Sequence, residues 1–105
     1  MKQIRILYIE DNSKQRKNFA GQLRQKGFTV TAAVSGKTAL KYLKQRTYDA
    51  VLCDLNLPDL NGLDILEEIR REGSKILFVI LTAHGTISQA VKAIKKAPII
   101  LSLNP

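Results

Sequence analysis

Acidic and hydroxyl side chains stand at the ends of apolar runs in this sequence. Glu10 and Asp11 directly follow one run, Asp54 ends a second, and Thr82 ends a third. If the first two runs are neighbouring strands of a parallel sheet, their carboxyl ends lie about 5 Å apart. Three carboxylates and a hydroxyl would then share one edge of the sheet.

Crowded carboxylates repel one another and stay ionised at neutral pH only when something positive joins them. Mg²⁺ takes oxygen ligands of this kind and keeps waters that a phosphate can replace. Asp54 could also act as a nucleophile that forms an acyl phosphate, and Thr82 could hydrogen-bond a phosphoryl oxygen. The simpler alternative is that each acid only caps a helix or a turn.

The elements that must position these side chains alternate along the chain. Five apolar or β-branched runs predict strands at Ile4–Ile9, Phe28–Val34, Asp49–Asp54, Lys75–Thr82 and Ile99–Leu103. Amphipathic segments between them predict four helices. Asn12, Ser35 and the capping box Thr86–Gln89 mark three helix starts, while Gly27 and Gly73 mark ends.

This order predicts an α/β fold, with a parallel sheet covered by helices on both faces. Ligand sites of such sheets lie at the carboxyl ends of the strands, where the strand order reverses. The 105 residues, 45% hydrophobic and 25% charged, fit one globular domain over residues 1–105. No apolar run approaches the roughly 20 residues that span a bilayer, and the lone cysteine favours a reducing, cytoplasmic location.

The net charge of +8 is concentrated in the first half of the chain. Residues 1–48 carry +9, because eleven Lys and Arg face only Glu10 and Asp11, and residues 49–105 carry −1. A nucleic acid or an acidic partner would explain this excess. A solvated helix surface explains it as well, since the cations fall mainly in two amphipathic segments, and no recognition helix or aromatic platform is evident.

Three stretches together resemble the receiver domain of bacterial two-component response regulators: "ILYIEDN", "VLCDLNLPDLNGLDIL" and "VILTAHGT". The acid pair, the spacing of Asp54, Pro58 and Gly62, and the pair Thr82-Ala83 occur in the order that this family has. The sequence around and after Thr82, "LTAHGT", is most similar to that of receivers of the NtrC type. The resemblance implies a CheY-like, flavodoxin-like doubly wound sheet of five strands in the order 2-1-3-4-5.

The resemblance also implies roles for individual residues. Asp54 would accept the phosphoryl group, and Thr82 would be the switch hydroxyl. Glu10, Asp11, Asp54 and the backbone carbonyl of Asn56 would hold Mg²⁺, with Glu10 acting mainly through water. A sensor histidine kinase would donate the phosphate, and a partner or an output domain in transcriptional signalling would read the result. Such a domain is a signalling module that at most phosphorylates and dephosphorylates itself.

The last predicted strand departs from the family. Asn104 stands where receivers have a lysine that contacts the phosphoryl group, and Leu101 stands where an aromatic residue is usual. Asparagine offers donors but no charge. The chain also ends at Pro105, before the fifth helix that receivers place after this strand. We therefore expect either that the receiver-like domain is truncated or altered at this end, or that self-association into a homo-oligomer covers the face under that helix.

Two alternatives to a phosphorylated switch remain open. Asn104, Leu101 and the missing helix favour a degenerate receiver that acts as an interaction or dimerisation module without phosphorylation. A phosphatase of the haloacid dehalogenase type also uses a strand-end aspartate, but it requires a second acid where Asn56 stands. His84 is predicted to be a solvated loop residue, and Cys53 a buried, inert thiol.

Overall fold

The computed structural model describes residues 3–54 and 57–81, together with the backbone of 101–103. The five strands are β1 Arg5–Ile9, β2 Thr29–Ala33, β3 Ala50–Asp54, β4 Leu77–Leu81 and β5 Leu101–Leu103. The described helices are α1 Ser13–Gln25, α2 Gly36–Gln45 and α3 Gly62–Arg71. The helix predicted to begin near Thr86 lies outside the described residues.

All the strands are parallel, and their order across the sheet is β2-β1-β3-β4-β5. This confirms the predicted fold class and strand order. Ile9 pairs with Ala33 of β2 and with Cys53 of β3, so these three strands end at the same level. The residues that follow them therefore meet at one edge, with β1 and β3 as neighbours.

Polar side chains fix where each helix begins. Asn12 Oδ1 accepts a 2.8 Å hydrogen bond from the backbone of Gln15, and Ser35 Oγ accepts one of 3.2 Å from Thr38. Both caps were predicted. The cap of α3 is Asn61, whose Oδ1 accepts from the backbone of Leu63 at 2.8 Å, and the sequence reasoning did not assign it.

Apolar side chains cover both faces of the sheet. On one face Phe19, Ala20 and Leu23 of α1 pack against the strands. On the other, Ala39 of α2 and Ile65 of α3 are fully buried. Residues of β1, β3 and β4 supply most of the remaining core, as expected for strands covered on both sides.

Strands β1, β2 and β3 are one or two residues shorter than the apolar runs that predicted them. Asp49 illustrates the reason at the start of β3. Its Oδ2 accepts a 2.8 Å hydrogen bond from the N–H of Arg5, and its own N–H donates to the carbonyl of Arg5 at 2.8 Å. The side chain thus takes over a ladder position, and regular pairing starts at Ala50.

None of the described helices is both long and apolar enough to cross a membrane.

Candidate metal and phosphoryl-acceptor site

Three carboxylates converge at the carboxyl edge of the sheet. Glu10, Asp11 and Asp54 each place a carboxylate oxygen within 4.8 Å of the others. Glu10 and Asp11 follow β1, and Asp54 is the last residue of β3, which pairs with β1. The predicted convergence of these acids is therefore found in the structure.

Glu10 is the buried member of the group, with only 4% of its surface exposed. Its N–H donates to the carbonyl of Ala33 at 3.0 Å, which extends the ladder between β1 and β2. Its carboxylate accepts a 3.2 Å hydrogen bond from the N–H of Asn12. Burial raises the pKa of Glu10 to about 7, with help from the charge of Asp54, although the Asn12 bond acts in the opposite direction.

Arg16, in the first turns of α1, supports the backbone of the acid pair. Its Nη1 donates to the carbonyl oxygens of Glu10 and Asp11, at 3.0 and 3.1 Å. The guanidinium therefore fixes the direction of the chain as it leaves β1, and it brings one positive charge close to the carboxylates. Sequence reasoning did not single out Arg16, because only the fold shows that α1 turns back over these carbonyls.

Asp54 is half-buried, and its backbone pairs with Leu81 of β4. The preceding residue, Cys53, points into the core and is fully buried, as predicted. Burial, followed by the charges of Asp54 and Glu10, raises the pKa of Cys53 to about 12, so the thiol stays protonated at neutral pH. Its Sγ lies 3.1 Å from the carbonyl oxygen of Asp54 and donates to it.

Asp59 ties the segment between β3 and α3 to the start of α2. Its Oδ1 accepts from the N–H of Gly36 at 3.0 Å and from its neighbour Leu60 at 2.9 Å. Its Oδ2 accepts from the N–H of Lys37 at 2.9 Å. Gly36 permits the close approach, because a Cβ there would lie 2.9 Å from the Cβ of Leu60. Residues 57–61, between β3 and α3, are thus anchored to a neighbouring element.

Three predicted site residues lie outside the part of the chain whose side chains are described: Asn56 with its backbone carbonyl, Thr82 with its hydroxyl, and Asn104. His84, which is predicted to be a solvated loop residue, also lies outside it. Leu101 belongs to β5, where the structure describes the backbone only. The predictions for these residues remain predictions.

The donor set suits a small, hard divalent cation. Carboxylate oxygens are the ligands that Mg²⁺ prefers, and the span of 4.8 Å is compatible with three acids around one ion. Asp11 is exposed and Asp54 is half-buried, so solvent reaches the group and a bound ion could keep waters. A pair of strand-end aspartates of this kind can also present a nucleophilic carboxylate to a phosphoryl donor.

Comparison with known families decides the class of protein. The sequence profile of the response regulator receiver domain matches residues 6–98. The chain belongs to this family. Receiver domains are signalling domains that generally bind Mg²⁺ through an acidic cluster, and Glu10, Asp11 and Asp54 form such a cluster here. The predicted family and its signalling class are confirmed.

Two transcriptional regulatory proteins illustrate the similarity of this receiver to longer chains. It is 31% identical to ZraR of Escherichia coli O157:H7, over 97% of this chain and 23% of that protein. It is 37% identical to QseB of Haemophilus influenzae, over 88% of this chain and 42% of that protein. The chain thus spans less than half the length of either relative.

Solved structures agree with the fold. The response regulator TrrA of Thermotoga maritima, in complex with Mg²⁺ and BeF, is 25% identical, with a TM-score of 0.75 over 97% of this chain and 87% of the solved chain. The complex of histidine kinase ThkA with TrrA also matches. There the identity is 30% and the TM-score 0.72, over 79% of this chain and 72% of that chain.

Proposed function

We propose that this receiver accepts a phosphoryl group on Asp54 from a sensor histidine kinase, in a Mg²⁺-dependent reaction. The observation that carries the proposal is the convergence of Asp54 with Glu10 and Asp11 within 4.8 Å. Asp11, Asp54 and the backbone carbonyl of Asn56 would hold the ion, and Glu10 would act mainly through a water. When bound, the ion offsets the negative charge that gathers on the phosphoryl oxygens.

Asp54 performs the chemical step. One of its carboxylate oxygens attacks the phosphorus of a phosphohistidine, the phosphorus–nitrogen bond breaks, and the electron pair of that bond returns to the imidazole. The product is an aspartyl phosphate, which water later hydrolyses to restore the carboxylate. Arg16 stabilises the chain direction that places Asp11 beside this carboxylate, through its bonds to two carbonyl oxygens.

The relatives support this choice of donor and of ligand. TrrA has been solved with Mg²⁺ and BeF and together with a histidine kinase, and this chain shares its fold. ZraR and QseB are transcriptional regulatory proteins that extend well beyond the matched region. By analogy, phosphorylation of this receiver would act on an output domain, a partner or a second copy, in the cytoplasm where response regulators typically work.

The residues that would transmit the signal after phosphorylation lie in the last quarter of the chain. Thr82 would donate its hydroxyl to a phosphoryl oxygen, and Asn104 would stand at the place of the usual lysine. Because the amide of Asn104 carries no charge, we expect a weaker coupling between phosphorylation and output than a lysine would give. The alternative is an interaction or dimerisation module whose binding does not depend on phosphorylation of Asp54.

Binding of a phosphoryl mimic tests the proposal. The ¹H–¹⁵N spectrum is recorded while Mg²⁺ and then beryllofluoride are added to the wild type and to Asp54→Asn. We expect Mg²⁺-dependent shifts near Asp11 and Asp54, and a second set with beryllofluoride that Asp54→Asn lacks. An unchanged wild-type spectrum with both additions would support the phosphorylation-independent module instead.

A further inference from the structure

Tyr8 of β1 carries a buried hydroxyl without a described partner. Only 1% of the residue is exposed, and its hydroxyl accepts and donates no hydrogen bond within the described structure. The ring itself is well placed, because it stacks on Phe19 of α1 with the ring centroids 5.0 Å apart. An unpaired buried hydroxyl opposes folding, so its presence in a packed core needs an explanation.

The register of the sheet places Tyr8 directly below the acid group. Tyr8 stands two residues before Glu10, and its partner on β3 is Leu52, which stands two residues before Asp54. Residues two apart on a strand lie on the same face, about 6.6 Å apart along it. Tyr8 therefore occupies the layer of the sheet next to these two carboxylates, on the face that α1 covers.

The charges that act on the Tyr8 hydroxyl all lie at the carboxyl edge. Burial raises the pKa of Tyr8 most, the carboxylates of Glu10 and Asp54 raise it further, and Arg16 lowers it. These influences agree with the register of the sheet, which places Tyr8 in the layer next to Glu10 and Asp54. A tyrosine hydroxyl is protonated at neutral pH and is therefore able to donate a hydrogen bond.

We propose that Tyr8 is a binding residue of the acid site, and that its hydroxyl donates a hydrogen bond to an oxygen of the ligand bound there. This inference rests on the proposed function, because the acceptor would be a water of the hydrated divalent cation or an oxygen of the phosphoryl group. Both sources offer the same chemistry, an electron-rich oxygen beside Asp54. The hydroxyl would add a neutral donor to a site whose usual lysine is replaced by Asn104.

The competing explanation is that Tyr8 is a packing residue with an unused hydroxyl. Tyr48 provides the comparison, because its hydroxyl is also buried and without a described partner. It lies near the start of β3, where the guanidinium of Arg5 sits 5.8 Å from its ring. Tyr48 therefore carries a second buried hydroxyl without a described partner, at the edge of the sheet away from the acids, and it serves as the matched control.

The variants Tyr8→Phe and Tyr48→Phe separate the two explanations, because each removes one oxygen and keeps the ring. Without metal, both should melt at the same temperature as the wild type or higher, since an unpaired buried hydroxyl is lost. Affinity for Mg²⁺ is then measured by calorimetry, alone and with beryllofluoride. Tyr8→Phe should bind up to about tenfold more weakly, the value of one hydrogen bond, and Tyr48→Phe should bind as the wild type does.

Each result has a definite meaning. A loss with Mg²⁺ alone identifies a cation-bound water as the acceptor, whereas a loss only with beryllofluoride identifies a phosphoryl oxygen. Equal affinity of Tyr8→Phe and wild type in both titrations overturns the inference and leaves the proposed function intact. A wild type that binds neither ligand overturns both. A ¹³C label on the Tyr8 ring, which should shift on loading while Tyr48 does not, checks the contact without any substitution.

Discussion

Oδ1 of Asp59 lies 3.0 Å from the backbone nitrogen of Gly36 and accepts its hydrogen bond. The bond joins the segment that follows β3 to the first turn of α2, across 23 positions of sequence. Oδ2 of the same side chain accepts from Lys37, so one carboxylate satisfies two N–H groups at the start of a helix. These bonds fix the position of residues 57–61, between β3 and α3. The side chain that makes them is not a member of the acid group.

Asp59→Ala should lower both stability and metal affinity. Loss of an acceptor at a helix N-terminus costs about 1 kcal/mol of unfolding free energy, and release of the segment should weaken Mg²⁺ binding severalfold. Asp59→Asn should do less, because its Oδ1 keeps the bonds from Gly36 and Leu60 while its amide cannot accept from Lys37. Urea unfolding and calorimetry check both effects.

The control is Asp64→Asn, an exposed acid in the first turn of α3. If Asp64→Asn weakened Mg²⁺ binding as much as Asp59→Ala, the lower affinity would result from the lost negative charge and not from the lost hydrogen bonds of Asp59.

Gly36→Ala should destabilise the domain although alanine is the better helix former. The new Cβ would lie 2.9 Å from Leu60 Cβ and 3.1 Å from Ile65 Cδ1, so the segment and α3 must both move. Overpacking of this kind costs about 1–3 kcal/mol. Gly21→Ala is the control, because a Cβ at that position in α1 meets no atom within 4 Å. It should stabilise the domain by about 0.5–1 kcal/mol. Equal effects of the two substitutions in thermal unfolding would contradict the packing described here.

Stability without metal should depend on pH through Glu10. Its pKa is raised from 4.5 to about 7 in the folded protein, mainly by burial. A raised carboxyl pKa means that the contribution of Glu10 is fully present below pH 4.5 and is lost as pH rises through about 7. Unfolding by urea at pH 5 and pH 8 with EDTA should show this loss in the wild type, and Mg²⁺ should reduce it.

Glu10→Gln is the control for that dependence, because it keeps the shape and removes the titrating group. Its difference in stability between pH 5 and pH 8 should be smaller than that of the wild type. Burial raises the pKa of Asp59, but the hydrogen bonds from the N–H groups of Lys37, Gly36 and Leu60 together lower it below its ordinary value. The stability that Asp59 contributes is therefore constant between pH 5 and pH 8 and is lost only at more acidic pH. A wild type and a Glu10→Gln variant with parallel pH profiles would show that Glu10 is ionised in the metal-free protein.

The convergence of the three acids could be predicted from the sequence, because the carboxyl ends of parallel strands meet at one edge of the sheet. Alternation of apolar runs with amphipathic segments predicts parallel strands, and parallel strands place Glu10, Asp11 and Asp54 at one edge whatever the details of packing. Helix caps were predictable where a capping residue directly precedes the amphipathic pattern, as at Asn12 and Ser35. Asn61 was missed because it follows a loop rich in polar residues, any of which could have capped α3.

The contacts of Asp59, Arg16 and Tyr8 could not be read from the sequence. Asp59 reaches an element that precedes it by more than twenty residues, and Arg16 binds carbonyl oxygens, which no residue pattern marks. Tyr8 stands within a run of apolar residues that reads as core, and only the register with β3 shows its position below two carboxylates. Local patterns predict elements and edges, whereas tertiary hydrogen bonds depend on how the elements pack.

Phosphorylation of Asp54 itself is the most direct test of the account. The wild type and Asp54→Asn are incubated with acetyl phosphate, with Mg²⁺ or with EDTA, and their intact masses are measured. The account predicts that the wild type gains the mass of one phosphoryl group only in the presence of Mg²⁺, and that Asp54→Asn gains none. A wild type that stays unmodified with Mg²⁺, or an Asp54→Asn variant modified to the same extent, would contradict it.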